Sequence, residues 1–260
     1  MQKCWSNRSE KFSIPKKSFK NTIAFGILIL TFIFLTNCGF FMKYKQPEPG
    51  FQAMTIDSMN YYLYVPDSYF ESGENIPFML FLHGAGERGK DLTKVKTWGP
   101  PKIAEENEDF PFLMVAPQCP AEVWWTDDDQ IETLQKLVAR SLKYYKIDKK
   151  RVYLTGLSMG GYGTWKLASQ TPETFTAIAP ICGGGKPEWG CKLKNIPIWA
   201  FHGKKDQVVS VEESKTMVKA VQNCGGEEVR LTIYPETGHD SWKQAYNDEN
   251  LFDWLLKHRK

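Results

Sequence analysis

Histidine is scarce in this chain of 260 residues: there are four, against 33 Lys and Arg and 30 Asp and Glu. The four are scattered, and the six cysteines form no C-x-x-C pair, so no spacing has the form of a metal site. No metal and no cofactor are expected. Internal repeats and low-complexity blocks are absent too, as is any basic stripe interleaved with aromatic residues. The formal net charge is +3, but six of the basic residues and one acid fall in residues 1–37, which leaves 27 basic and 29 acidic groups. Nucleic acid binding therefore has no electrostatic support, and Lys204-Lys205 and Lys149-Lys150-Arg151 read as solvated loop charges.

The continuous apolar run at residues 22–36 contains no charge and is rather short for a membrane span, which needs roughly twenty residues. It follows six Lys and Arg, the pattern of a secretory signal. It ends in Leu35-Thr36-Asn37-Cys38-Gly39, which reads as a bacterial lipobox with Cys38 as the lipidation site. Phe40, Phe41 and Met42 extend the apolar run, so a single uncleaved N-terminal anchor is the alternative. Either reading places the rest of the chain outside the cytoplasm, tethered to a cell envelope membrane. Residues 38–50, with Pro47 and Pro49, read as the tether, and 51–260 as one globular domain, about 210 residues and long enough for one core. Cys119, Cys182, Cys191 and Cys224 remain in it. A Cys182–Cys191 bridge would close a short loop, buried unpaired thiols are the alternative, and the connectivity stays open.

Residues 51–56 and 61–65 alternate around a turn, as in an antiparallel edge hairpin. Apolar runs follow near 77, 112, 151, 176, 196 and 229, separated by helical patterns at 130–145, 159–170, 211–222 and 242–257. Such alternation predicts an α/β protein with a mostly parallel sheet covered on both faces. The spacing between Ile181 and Ile196 leaves no room for a large cap domain, so the site is expected to be open.

The chemistry centres on Gly156-Leu157-Ser158-Met159-Gly160-Gly161, a G-x-S-x-G pattern between an apolar run and a helical one. A serine hydroxyl becomes a useful nucleophile when a tight strand-to-helix turn holds it exposed, and glycines permit that turn. By elimination among the histidines the base is His239, in a loop after residues 229–234. The orienting acid is Asp206, just after residues 196–201, with Glu236 and Asp240 as alternatives. Upstream, His83-Gly84-Ala85-Gly86-Glu87-Arg88-Gly89 follows another buried run. Such a turn supplies a backbone N–H to an oxyanion; Ala85 is expected to give one donor and Met159 the other. Glu87 and Arg88 are expected to pin the turn by an ion pair.

Together with Ala116-Pro117-Gln118-Cys119-Pro120, Cys182-Gly183-Gly184-Gly185 and Phe201-His202-Gly203, these motifs resemble the small serine esterases of the α/β-hydrolase superfamily from about Phe51 onward. The similarity is to the feruloyl and acetyl-xylan esterase type, the polyhydroxybutyrate-depolymerase type and predicted peptidases related to prolyl oligopeptidase. The resemblance implies an α/β-hydrolase fold and acyl transfer through Ser158, with carbohydrate, phenolic or polyester substrates, small or polymeric. Trp98, Trp124 and Trp125 are expected to offer aromatic faces to substrate and Gln118 a hydrogen bond, with loop packing the bland alternative for each. Trp242 is expected to support the base loop. A serine peptidase is the rival enzyme. A catalytically silent surface binding protein is the rival of another class, and it would need a broken triad.

Overall fold

The computed structural model describes residues 47–71, 73–107 and 110–260. The signal, Cys38 and most of the tether lie outside the described residues. Eight strands, β1 (Gly50–Ile56), β2 (Met59–Val65), β3 (Ile76–Leu82), β4 (Leu113–Pro117), β5 (Ile147–Leu157), β6 (Ala177–Ile181), β7 (Ile198–Gly203) and β8 (Val229–Tyr234), form one sheet. Its order is β1-β2-β4-β3-β5-β6-β7-β8. The β1–β2 and β2–β4 pairs are antiparallel and the pairs from β4 through β8 are parallel. The helices are α1 (Ser68–Glu71), α2 (Pro100–Glu106), α3 (Asp128–Tyr144), α4 (Met159–Gln170), α5 (Gly190–Leu193), α6 (Val211–Asn223), α7 (Trp242–Tyr246) and α8 (Glu249–Lys257).

Every residue of β3, β4, β6 and β7 is buried, as a parallel sheet covered on both faces requires. Successive side chains in a strand point to opposite faces. Phe78, Leu80 and Leu82 accordingly join a core with Leu134 and Leu137 of α3, Leu167 of α4 and Met217 of α6. Met79 and Phe81 join a second core with Ala104 of α2, Tyr246 of α7 and Leu251 of α8. Fully burying each such aliphatic side chain contributes about 1.5–3 kcal/mol, so the two cores fix which way the sheet's carboxyl ends face.

The structure departs from the sequence expectations in three places. β5 begins at Ile147, four residues before its apolar run, because Ile147 pairs with Ile76 across the sheet while the intervening lysines stay exposed. The helical pattern at 242–257 is broken into α7 and α8, where the Asp248 side chain accepts from Asn250 N and starts a new helix, the N-cap geometry that aspartate favours. The disulfide joins Cys191 of α5 to Cys224 at the end of α6, while Cys119 and Cys182 are free and buried. A Cys182–Cys191 bridge is thereby ruled out.

Candidate active site

The parallel sheet carries three loops to one end: the β5–α4 turn, the segment after β7 and the segment after β8. They bring Ser158, Asp206 and His239 together. Ser158 Oγ lies 2.8 Å from His239 Nε2, and His239 Nδ1 lies 2.7 Å from Asp206 Oδ2. Asp206 Oδ1 accepts from the Val208 and Val209 amides, each at 2.9 Å. Burial raises the Asp206 carboxyl, but the His239 hydrogen bond and these amides outweigh it and hold the group below its ordinary value. The carboxyl is thus kept ionised beside the His239 ring. Glu236 and Asp240, the alternative acids, are turned away to Lys205 and Lys243.

The turn at Ser158 is strained. Its φ is 53° and ψ −117°, outside the regions open to most L-residues. Two glycines let it close. A Cβ on Gly156 would sit 2.8 Å from Leu82 O, and one on Gly160 would sit 2.8 Å from His83 O and closer still to Leu82 O. The elbow therefore packs directly onto the end of β3, and β3 leads into the glycine turn. A Cβ on Gly84 would meet Ser158 Cβ at 3.7 Å, so that turn faces Ser158. Ala85 opens a 3-10 turn over Ala85–Glu87 and Met159 opens α4. As first residues, neither has an acceptor for its N–H within its own helix, which leaves both amides suited to meeting an oxyanion.

A network of buried groups holds the glycine turn. His83 Nδ1 donates to Gly84 O at 2.6 Å, its Nε2 accepts from Cys119 N at 2.9 Å, and Trp125 Nε1 donates to His83 O at 3.0 Å. Burial lowers the His83 pKa to about 4 from 6.5, so the ring is neutral, as the Cys119 contact requires. In the unfolded chain His83 takes up its proton near 6.5. Its contribution is therefore present above that pH and is lost as the pH falls from 6.5 toward 4. The urea midpoint of the wild-type protein is expected to drop between pH 7 and pH 4.5, and that of His83→Gln to drop less. Parallel drops in the two proteins would contradict this account.

Two residues expected to touch substrate instead serve this scaffold. Gln118 is 2% exposed, and its amide donates to Glu87 O at 2.8 Å and Asp91 O at 2.6 Å. Trp125 is fully buried. Both sit on loops at the carboxyl end of the sheet, but the polar atoms of the neighbouring turn claim them. Glu87 and Arg88 also act separately, not as the expected ion pair. Glu87 lies 4.0 Å from His83 Nδ1, while Arg88 donates to Ala85 O and Val123 O and lies over the Trp124 ring.

Trp124 and Trp98 remain accessible. Trp124 is 47% exposed. Trp98 stands edge-on to Trp242, which in turn stands edge-on to His239 at a ring separation of 5.3 Å. Trp98 and Trp242 line a cleft of about 240 Å³ together with Lys102, Lys243 and Asn247. The Trp242 indole N–H is buried and has no partner in this structure.

Sequence reasoning missed Cys182 and the role of His202. Cys182 directly follows β6 with φ 40°, and its thiol lies within 4.8 Å of ligand atoms on Asp206 and His239. Burial pushes that thiol up to about 12, so it stays neutral, and the other two groups are spent on each other.

Residues 126–252 match the phospholipase/carboxylesterase family. A bifunctional acetylxylan esterase/xylanase of Neocallimastix patriciarum is 28% identical over 62% of this chain and 24% of its own. A probable feruloyl esterase C of Aspergillus terreus is 25% identical over 78% of this chain and 74% of its own. The crystal structure of a thermostable esterase superimposes with a TM-score of 0.70 and 34% identity, covering 81% of this chain and 63% of that one. This chain thus spans about a quarter of the bifunctional enzyme and less than two thirds of the thermostable esterase. The order of the sheet, the strained elbow and these likenesses agree: the chain has the α/β-hydrolase fold and is similar over residues 126–252 to the phospholipase/carboxylesterase family.

Proposed function

We propose that this chain is a serine esterase acting on carbohydrate-linked or phenolic esters outside the cytoplasm. The observation that carries the reading is the continuous relay of 2.8 Å and 2.7 Å from Ser158 through His239 to Asp206, built on a turn that is strained at the nucleophile itself. His239 takes the Ser158 proton as Oγ attacks the ester carbonyl, and the Ala85 and Met159 amides receive the charge on the carbonyl oxygen. The tetrahedral adduct collapses when His239 returns the proton to the departing alcohol, leaving an acyl-enzyme. Water, deprotonated by the same histidine, then releases the acid and restores Ser158.

The cleft beside His239 supports a sugar-bearing substrate. Trp98 and Trp242 offer apolar surface, while Lys102, Lys243 and Asn247 offer hydrogen bonds. The two lysines are paired with Glu106 and Asp240, so the cleft has no field favouring an anion, and a neutral glycan fits it. The relatives named above include an acetylxylan esterase and a feruloyl esterase, which agrees with that chemistry. Attachment to a membrane through a lipid on Cys38 is the matching proposal for location, and release of a Cys38→Ser variant from the membrane fraction checks it.

Hydrolysis of p-nitrophenyl acetate, methyl ferulate and acetylated xylan by the protein tests the reaction and begins to sort the substrates. Activity on these esters is the expected result; a folded protein inert toward all three overturns the reading in favour of a silent binding protein. Trp98→Ala is expected to lower kcat/KM on acetylated xylo-oligosaccharides by roughly three- to tenfold, the scale of one aromatic contact. Its rate on p-nitrophenyl acetate is expected to be unchanged, and equal losses on both substrates would remove the cleft from the account.

A further inference from the structure

A second imidazole stands behind the acid. His202, at the end of β7, is fully buried. Its Nε2 lies 2.9 Å from Val209 O and 3.2 Å from Asp206 Oδ2, the same oxygen that accepts from His239. Its Nδ1 lies 2.7 Å from Ser214 Oγ, which is itself 2.9 Å from Gly183 O.

The partners fix the tautomer. A carbonyl only accepts, so Nε2 carries the proton and donates it to Val209 O, with Asp206 Oδ2 3.2 Å away. Burial holds the His202 ring below its ordinary pKa, so Nδ1 is bare, and the single Ser214 hydroxyl hydrogen lies between Nδ1 and Gly183 O. The Asp206 carboxylate then accepts from two backbone amides on one oxygen and from His239 on the other, with the His202 Nε2–H 3.2 Å from that second oxygen. His202 also ties the Asp206 loop back to the strand it leaves, since its contacts reach Asp206, Val209 and Ser214 at the start of α6.

We propose that His202 is a positioning residue for the hydrolysis: its neutral Nε2–H aims the Asp206 carboxylate at His239 and moderates its basicity. The inference rests on the serine hydrolase reading above. Losing the donor concentrates charge on the carboxylate, which strengthens its pull on the His239 proton and raises the pH at which His239 becomes free to act as a base. Other titratable groups around the pair are Cys182 after β6, Tyr162 of α4, Glu213 of α6 and Asp240 beside His239. Burial pushes Cys182 and Tyr162 up to about 12, so both are neutral, and Lys243 holds Asp240 ionised. All four are common to wild type and variant.

The test compares wild type, His202→Leu and His202→Gln on p-nitrophenyl acetate across pH. In His202→Leu, kcat is expected to fall roughly ten- to a hundredfold, the scale of one hydrogen bond to a charged group, with KM within about twofold because the ring touches no substrate. The acid limb of kcat/KM is expected to move up by roughly half a pH unit, and His202→Gln, which retains a donor, to recover part of both effects. A rate loss with an unmoved acid limb would reduce His202 to a structural residue, and a wild-type rate would remove it altogether. If His202→Leu does not fold, Ser214→Ala loosens the same ring from its far side and is expected to shift the limb in the same direction; no shift there overturns the proposal. An inert wild type would instead count against the hydrolase reading, so the two failures are distinct.

Discussion

Replacing Ser158 with alanine is expected to lower kcat on every ester substrate by about 10⁴-fold or more, the scale seen when a triad nucleophile is removed, without unfolding the protein. The hydroxyl contributes one hydrogen bond, to His239, and the turn is held by other bonds: Ser158 N to Ile181 O at 2.9 Å and Tyr162 N to Ser158 O at 3.1 Å. Alanine inherits the strain at φ 53°, whereas glycine relieves it. Ser158→Gly is therefore expected to be as inactive as Ser158→Ala and more stable than it by about 1 kcal/mol. Denaturant titration of the two inactive variants reads the difference. Equal stabilities would mean that the elbow stores no strain at its nucleophile.

Gly160→Ala is expected to damage activity and fold together. The new Cβ would overlap the backbone carbonyls of Leu82 and His83, and backbone at the end of a central buried strand cannot step aside. The helix α4 would have to move away from β3, and Ser158 would move with it. Overpacking in a tight core typically costs about 1–3 kcal/mol, and a backbone collision at the meeting point of strand, turn and helix belongs at or above the top of that range. A melting temperature lowered by several degrees, with activity reduced further than the folded fraction explains, is the expected pair of results. Gly86→Ala is the control, because a Cβ there meets nothing within 4 Å. An active, wild-type-stable Gly160→Ala would contradict the packing described here.

These two predictions draw on the part of the molecule that was most legible in the sequence. G-x-S-x-G states its own geometry: glycines where the turn crosses a neighbouring strand, serine where it is exposed. The apolar runs of β3, β4, β6 and β7 could be read because burial on both faces leaves no polar positions to confuse the pattern. The chain order of Ser158, Asp206 and His239 followed from the strands that precede them. What could not be read depends on contacts far apart in sequence. Gln118 and Trp125 sit where substrate residues often sit, yet the polar atoms of a turn some 27–42 positions upstream occupy them. The Cys191–Cys224 bridge depends on how α5 meets α6, which local pattern does not encode. His202 enters the sequence only within Phe201-His202-Gly203; its neighbour four residues on, Asp206, is the one signal there that its ring is needed.

The most direct test of the account treats the full chain with a fluorophosphonate, a reagent that phosphonylates an activated serine, and locates the adduct by peptide mass spectrometry. The account predicts stoichiometric modification at Ser158, abolished in His239→Ala although Ser158 is still present, because the hydroxyl is nucleophilic only through that base. A folded protein left unlabelled, or one labelled at a different serine while ester hydrolysis proceeds, would contradict it.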